Sequence, residues 1–153
     1  QVHFPGRVSD EELRATLTRA TVFAMPSTAE LQSIATMEGM ASGLPVVAAD
    51  AMALPHLVRD GENGYLFPPR DVAALADRLE RVLTMPHEER QVMQRASLRL
   101  LEPHDIDTTI SVFERLYRGE DVTDPVTDVP PLSAKLRDQF RSLARRAKSA
   151  ISD

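Results

Sequence analysis

Two runs of near-continuous apolar character constrain this chain more than any other feature: Thr21-Val22-Phe23-Ala24-Met25 and Pro45-Val46-Val47-Ala48-Ala49. A strand with one face in water alternates apolar and polar residues. A run without alternation has both faces covered, as in a buried parallel sheet. Between the two runs, residues 31–42 place Ile34, Met37, Met40 and Ala41 at helical spacing, and Gly43 is the expected stop. A third strand is predicted at Tyr65-Leu66-Phe67, after the turn-forming Asp60-Gly61-Glu62-Asn63-Gly64, and a helical turn at residues 55–58 precedes it. Ser9 heads an S-x-x-E capping box with Glu12, followed by Leu13, Leu17 and Ala20. Asp71 caps a helix carrying Val72, Leu75, Leu79, Val82 and Leu83, and further helices are expected over residues 86–101 and 105–118. Val2-His3-Phe4 reads as the end of one more short strand. The alternation of strand and helix predicts the α/β class, with a parallel sheet.

Composition narrows the chemistry. With 153 residues, 42% hydrophobic and 27% charged, most of the chain should form one soluble domain with an appendage. Aromatics are 5% and Trp is absent, so the core must be aliphatic. The absence of Cys rules out disulfides and thiolate metal sites. The four His (His3, His56, His87, His104) show no H-E-x-x-H spacing, so no metal site is expected, and structural or exposed roles are the simpler reading of each. No secretory signal is visible, and no apolar run approaches the roughly 20 residues that span a membrane. The expected location is cytoplasmic.

Charge is unevenly distributed. Residues 1–132 carry 12 Arg and no Lys against 21 acids, a net of -9, which argues against a nucleic-acid-binding face. Residues 133–153 carry 6 basic residues against 2 acids, a net of +4. The chain therefore divides into a domain over residues 1–118, an extended Pro- and Asp-containing linker over residues 119–132, and a basic helix over residues 133–153. In that helix Leu136, Phe140, Leu143 and Ala147 share one face. It reads either as a solvated or body-docked helix or as an interfacial helix on an anionic membrane surface, which would put the protein at the inner face of the plasma membrane.

The stretch with chemistry runs from the end of the first apolar strand into the next helix. A helix start presents unpaired amides and a positive dipole end, which suit a pyrophosphate. In an open α/β sheet, ligands bind at the carboxyl ends of the strands. Glu30 and Glu38 are eight residues apart. On a helix that is about 12 Å of rise and about 80° of rotation, too far for a dyad on one atom but suited to two ends of an extended ligand. The bland alternatives stand beside this: Ser27-Thr28-Ala29-Glu30 is itself a capping box, Glu38 could be an exposed helix charge, and Gly43 a plain helix stop.

Taken together, several pieces resemble the C-terminal Rossmann-like domain of retaining GT-B glycosyltransferases (glycosyltransferase family 4-like, glycosyl transferases group 1). They are Val2-His3-Phe4-Pro5-Gly6-Arg7-Val8, Glu11-Glu12-Leu13, Ala20-Thr21-Val22-Phe23-Ala24-Met25-Pro26-Ser27, the Glu30 and Glu38 pair, Glu38-Gly39-Met40-Ala41-Ser42-Gly43-Leu44-Pro45-Val46-Val47, Asp60-Gly61-Glu62-Asn63-Gly64-Tyr65-Leu66-Phe67 and Phe113-Glu114-Arg115-Leu116-Tyr117. The resemblance covers residues 1–118. It implies a partial Rossmann-like parallel sheet flanked by helices, followed by the C-terminal helical extension. It also implies that a hexose is transferred from a UDP-glucose- or GDP-mannose-type donor to a hydroxyl of a glycolipid or polysaccharide. Glu30 would orient the sugar, Glu38 would hold the ribose hydroxyls, and the backbone of Gln32, Ser33, Ile34 and Ala35 would cradle the diphosphate. The loop at Gly6, Arg7 and Val8 would lie near the base, and no metal cofactor would be needed.

Two departures stand out. Ser33 occupies a position where the family often has Gly, and Gly39 replaces the commoner Ala inside the helix. By the same resemblance, an N-terminal acceptor domain and the first strands of this domain, which bring an Arg and a Lys to the phosphates, are the expected missing partners. That makes the chain a part of a longer enzyme and inactive alone. The alternative is a non-catalytic nucleotide-sugar-binding fragment. A response-regulator-like protein would want an acidic cluster at a strand end, where only Asp50 is offered.

Overall fold

The computed structural model describes residues 2–120; the predicted helix at 133–153 and nearly all of the linker lie outside the described residues. The order of elements is α1 (Asp10–Arg19), β1 (Phe23–Met25), α2 (Ile34–Ala41), β2 (Val46–Ala49), α3 (Leu54–Leu57), β3 (Gly64–Phe67), α4 (Val72–Thr84), α5 (His87–Leu101), a 3-10 turn (Glu102–His104) and α6 (Ile106–Tyr117). The class is α/β, as the alternation predicts.

The three strands form one parallel sheet in the order β1-β2-β3. Phe23 pairs with Val46, and Val46 with Gly64, so one register runs across all three strands. β2 is central, which is why Val46, Val47, Ala48 and Ala49 are all buried without alternation. Around them Met40, Leu54, Leu57, Val58, Tyr65, Phe67, Val82 and Met93 complete a largely aliphatic core. Gly64 enters β3 so close to its neighbour that an added Cβ would lie 1.7 Å from the Val46 carbonyl oxygen. Only glycine fits there.

The helix ends follow the sequence signals. Ser9 and Glu12 form the full capping box on α1. The Asp71 side chain accepts the Ala74 amide at the start of α4 at 2.9 Å. After α2, Gly43 takes φ +71, the Gly43 amide donates to Met40 O at 2.9 Å and the Leu44 amide to Gly39 O at 3.1 Å. This is the Schellman arrangement that lets the chain turn at once into β2.

Three expectations need correction. Val2-His3-Phe4 is not a strand: the segment has no strand pairing among the described residues, and Phe4 is 88% exposed. Apolar composition alone cannot make a strand without a hydrogen-bonded neighbour. α2 begins at Ile34 rather than at residue 31, because residues 26–33 are needed to carry the chain over the sheet edge. Its buried side is also different. Ser33, Thr36, Gly39 and Met40 face inward, whereas Ile34 is 65% exposed and Ala41 is exposed. The helix lies tightly on β1 at Gly39. A Cβ on Gly39 would lie 2.7 Å from Phe23 Cγ, which gives the unusual glycine its reason.

Candidate functional site

The carboxyl ends of the strands open into three loops: residues 26–33 after β1, residues 50–53 after β2 and residues 68–71 after β3. Backbone hydrogen bonds lace them together. The Asp50 amide donates to Phe67 O at 2.8 Å, and the Ala53 amide donates to Glu30 O at 3.2 Å. Glu30 is therefore held at the sheet edge by its own backbone, leaving its half-buried side chain available.

The capping-box reading of Ser27 and Glu30 does not survive. The Ser27 hydroxyl accepts the Ala29 amide at 3.3 Å, and Glu30 sits in the loop, four residues ahead of the first helical residue. The helical rise between Glu30 and Glu38 likewise does not apply, since only Glu38 is on α2.

At the start of α2, Ser33 is 1% exposed, and its Oγ accepts the Thr36 hydroxyl at 2.8 Å. That bond is buried and orients the first turn. The Ile34 amide donates to Gln32 O at 3.0 Å, so it is already used. Among the described residues, the amides of Gln32, Ser33 and Ala35 have no such acceptor. They are the unsatisfied donors that a helix start leaves for an anion. The helix dipole adds its positive end at the same place.

Glu38 is exposed on α2 and stands between two clefts. One, of about 460 Å³, is largely apolar, with Ile34, Met37, Leu98, Leu101 and Ile106 in its wall. The other, of about 430 Å³, lies between α1 and α2. Gly6 takes φ +70, and with Arg7 it forms the exposed turn leading to α1. Nothing in the sequence pattern singles out Asp10, Arg14 or Ser42, yet all three share the second cleft with Glu38. Their signal was the i, i+4 spacing of Asp10 and Arg14, which becomes informative only once α1 and α2 are known to be neighbours. His56 and His104 lie in α3 and in the 3-10 turn. Among the described residues no helix is long and apolar enough to cross a membrane.

The chain matches the family described as Glycosyl transferases group 1 over residues 1–99. It is 40% identical over 119 residues to the MMP alpha-(1->4)-mannosyltransferase of Mycolicibacterium hassiacum, covering 74% of this chain and 29% of that protein. It is 35% identical over 105 residues to a sulfoquinovosyl transferase of Arabidopsis thaliana, covering 67% of this chain and 20% of that protein. Among solved structures, sucrose-phosphate synthase from Thermosynechococcus elongatus matches with a TM-score of 0.70 at 28% identity, over 76% of this chain and 29% of that one. The chain thus spans only 20% to 29% of the length of these proteins.

Proposed function

The chain belongs to the glycosyl transferases group 1 family, with the fold of a GT-B C-terminal domain, and on that footing we propose that it is the donor-binding part of a retaining hexosyltransferase. The donor is a nucleoside-diphosphate hexose of the UDP-glucose or GDP-mannose type. The acceptor is a hydroxyl of a glycolipid or polysaccharide, bound by an N-terminal domain of the parent enzyme. Support comes from the relatives, which are themselves named for transfer of different sugars. The observation that carries the reading is the Ala53-to-Glu30 backbone bond, which fixes the loop after β1 at the carboxyl edge of the sheet.

In this reading the free amides of Gln32, Ser33 and Ala35 receive the diphosphate, with Ile34 shaping the turn. Glu38 accepts hydrogen bonds from the ribose diol, and Glu30 from the sugar hydroxyls. The turn at Gly6 and Arg7 borders the base. Glu30 orients the sugar and is not a nucleophile. The anomeric carbon keeps its configuration because the acceptor oxygen arrives on the face from which the phosphate departs, and that phosphate takes the acceptor proton. Orientation of the donor and stabilisation of the leaving diphosphate are this chain's shares of the catalysis. No metal has a part in this scheme.

Calorimetry on the 153-residue chain tests it. Glu38→Ala is expected to weaken UDP or GDP and the matching nucleotide sugar alike. Glu30→Ala is expected to weaken the nucleotide sugar alone. Equal effects of both variants on the free nucleotide would contradict the separate roles.

A further inference from the structure

Two residues other than glycine take positive φ among the described residues, Met52 at +51 and Arg70 at +68. Both stand in loops at the carboxyl edge of the sheet, Met52 after β2 and Arg70 after β3. Methionine gains nothing locally from such a backbone. Its Cβ crowds the chain, and it has no short polar side chain to bond the backbone in return. A conformation of this kind persists where the surrounding structure holds it. Resting on the donor reading above, we propose that Met52 is a positioning residue for the sugar. Its left-handed backbone aims the Ala53 amide at Glu30 and so places the carboxylate that orients the hexose.

The loop that carries Met52 is pinned on both sides. The Asp50 amide donates to Phe67 O at 2.8 Å, and the Ala53 amide donates to Glu30 O at 3.2 Å. Between these ties the Leu54 amide donates to Ala51 O at 3.1 Å, which closes a turn with Met52 and Ala53 at its centre. Met52 at φ +51, followed by Ala53 at φ -83 and ψ -14, has the sign pattern of a type II′ turn. Glycine dominates the first central position of such turns. With Asp50 fixed against β3, the φ of Met52 sets where the next amide points. A change to about −65° is a rotation of more than about 100° at that bond, which swings the Ala53 amide away from Glu30. The consequence for Glu30 is direct. Residues 26–33 form neither helix nor strand. Among the described residues, no other hydrogen bond from a distant part of the chain reaches residues 28–32. The Glu30 carbonyl is attached to the same Cα as its half-buried side chain, so losing this tie frees the carboxylate as well.

Calorimetry on the 153-residue chain tests this, with UDP against UDP-glucose and GDP against GDP-mannose. Met52→Pro locks φ near −65°, and the Met52 amide that it removes has no acceptor among the described residues. Met52→Val is the second variant, since a β-branched residue resists positive φ. Each should weaken the nucleotide sugar about tenfold and leave the nucleotide within about twofold, as Glu30→Ala does. Met52→Gly keeps the turn without strain. It should raise Tm by about 2–5 °C and bind the nucleotide sugar within about threefold of the native chain. Hydrogen exchange at the Ala53 amide should be slow in the native and Met52→Gly chains and fast in the other two. Met52→Pro or Met52→Val binding the nucleotide sugar as the native chain does would overturn the inference. So would an Ala53 amide that exchanges in the native chain at the rate of a free loop, a result that needs no variant. Failure of the donor reading has a different signature: Glu30→Ala binds the nucleotide sugar as the native chain does, or no ligand binds, and the inference falls with it.

Discussion

Gly39 of α2 and the Phe23 ring of β1 are in such close apposition that a Cβ on Gly39 would lie 2.7 Å from Cγ and 2.9 Å from Cδ2 of the ring. The helix that carries Glu38 is thereby set on the strand that delivers Glu30. Gly39→Ala gains about 1 kcal/mol of helix propensity. It should nevertheless destabilise the protein by about 1–3 kcal/mol through overpacking. Urea unfolding would measure this. Adding Phe23→Leu should recover much of the loss, and a stable Gly39→Ala protein would show that the ring moves aside at no cost.

Ser97 ties α5 to the approach of β2. Its buried hydroxyl donates to Leu44 O at 2.7 Å, across 53 residues of sequence. Ser97→Ala leaves that carbonyl without its partner and should cost about 1–3 kcal/mol. Thermal unfolding of the variant checks the magnitude, and Ser97→Thr is a useful companion because it keeps the hydroxyl.

Asn63 is fully buried and closes the turn before β3. Its Oδ1 accepts the Arg59 amide at 2.8 Å, and its Nδ2 donates to Leu57 O at 3.1 Å. Asn63→Ala strips one buried and one part-buried backbone group of partners and should cost about 2 kcal/mol. Asp cannot replace the donated bond, so Asn63→Asp should also be destabilising. Tolerance of either change would imply that water replaces the amide.

The capping box of α1 gives a pH dependence with a definite sign. The Ser9 amide donates to Glu12 Oε2 at 2.8 Å, and the Ser9 hydroxyl at 2.9 Å. These bonds, the backbone one first, hold the Glu12 carboxyl below its ordinary value of 4.5. A carboxylate with a depressed folded pKa stabilises the fold above its unfolded pKa, and the contribution is lost as pH falls through the folded value. The first turn of α1 should therefore be insensitive to pH near neutrality and fray below 4.5. Amide exchange at Glu12 and Leu13 reads this directly, and Ser9→Ala should reduce the pH dependence.

The sheet, its parallel sense and most helix ends were legible because they depend on local chemistry. Unalternated apolar runs specify buried strands. Ser9, Asp71 and Gly43 mark helix ends through side-chain oxygens or a positive φ that act within a turn. The loop after β1 and the helix that carries Glu38 were also visible, though the helix starts three residues later than residue 31. Sequence failed where the answer depended on a neighbour. Val2-His3-Phe4 has the composition of a strand but no pairing partner among the described residues. Ile34 has the apolar character of a core residue, yet it is exposed while Thr36, Gly39 and Met40 are buried, and at Gly39 the helix comes so close to Phe23 that a Cβ would clash.

The sequence by itself thus determined the order and type of the elements, through hydrophobic periodicity and capping. The tertiary structure alone decided which face of α2 is buried and that Glu30 is anchored through Ala53. It also decided that Asp10 and Arg14 share a cleft with Glu38. Those relationships join residues distant in the chain, and their distances are set by how closely α1, α2 and the sheet can pack.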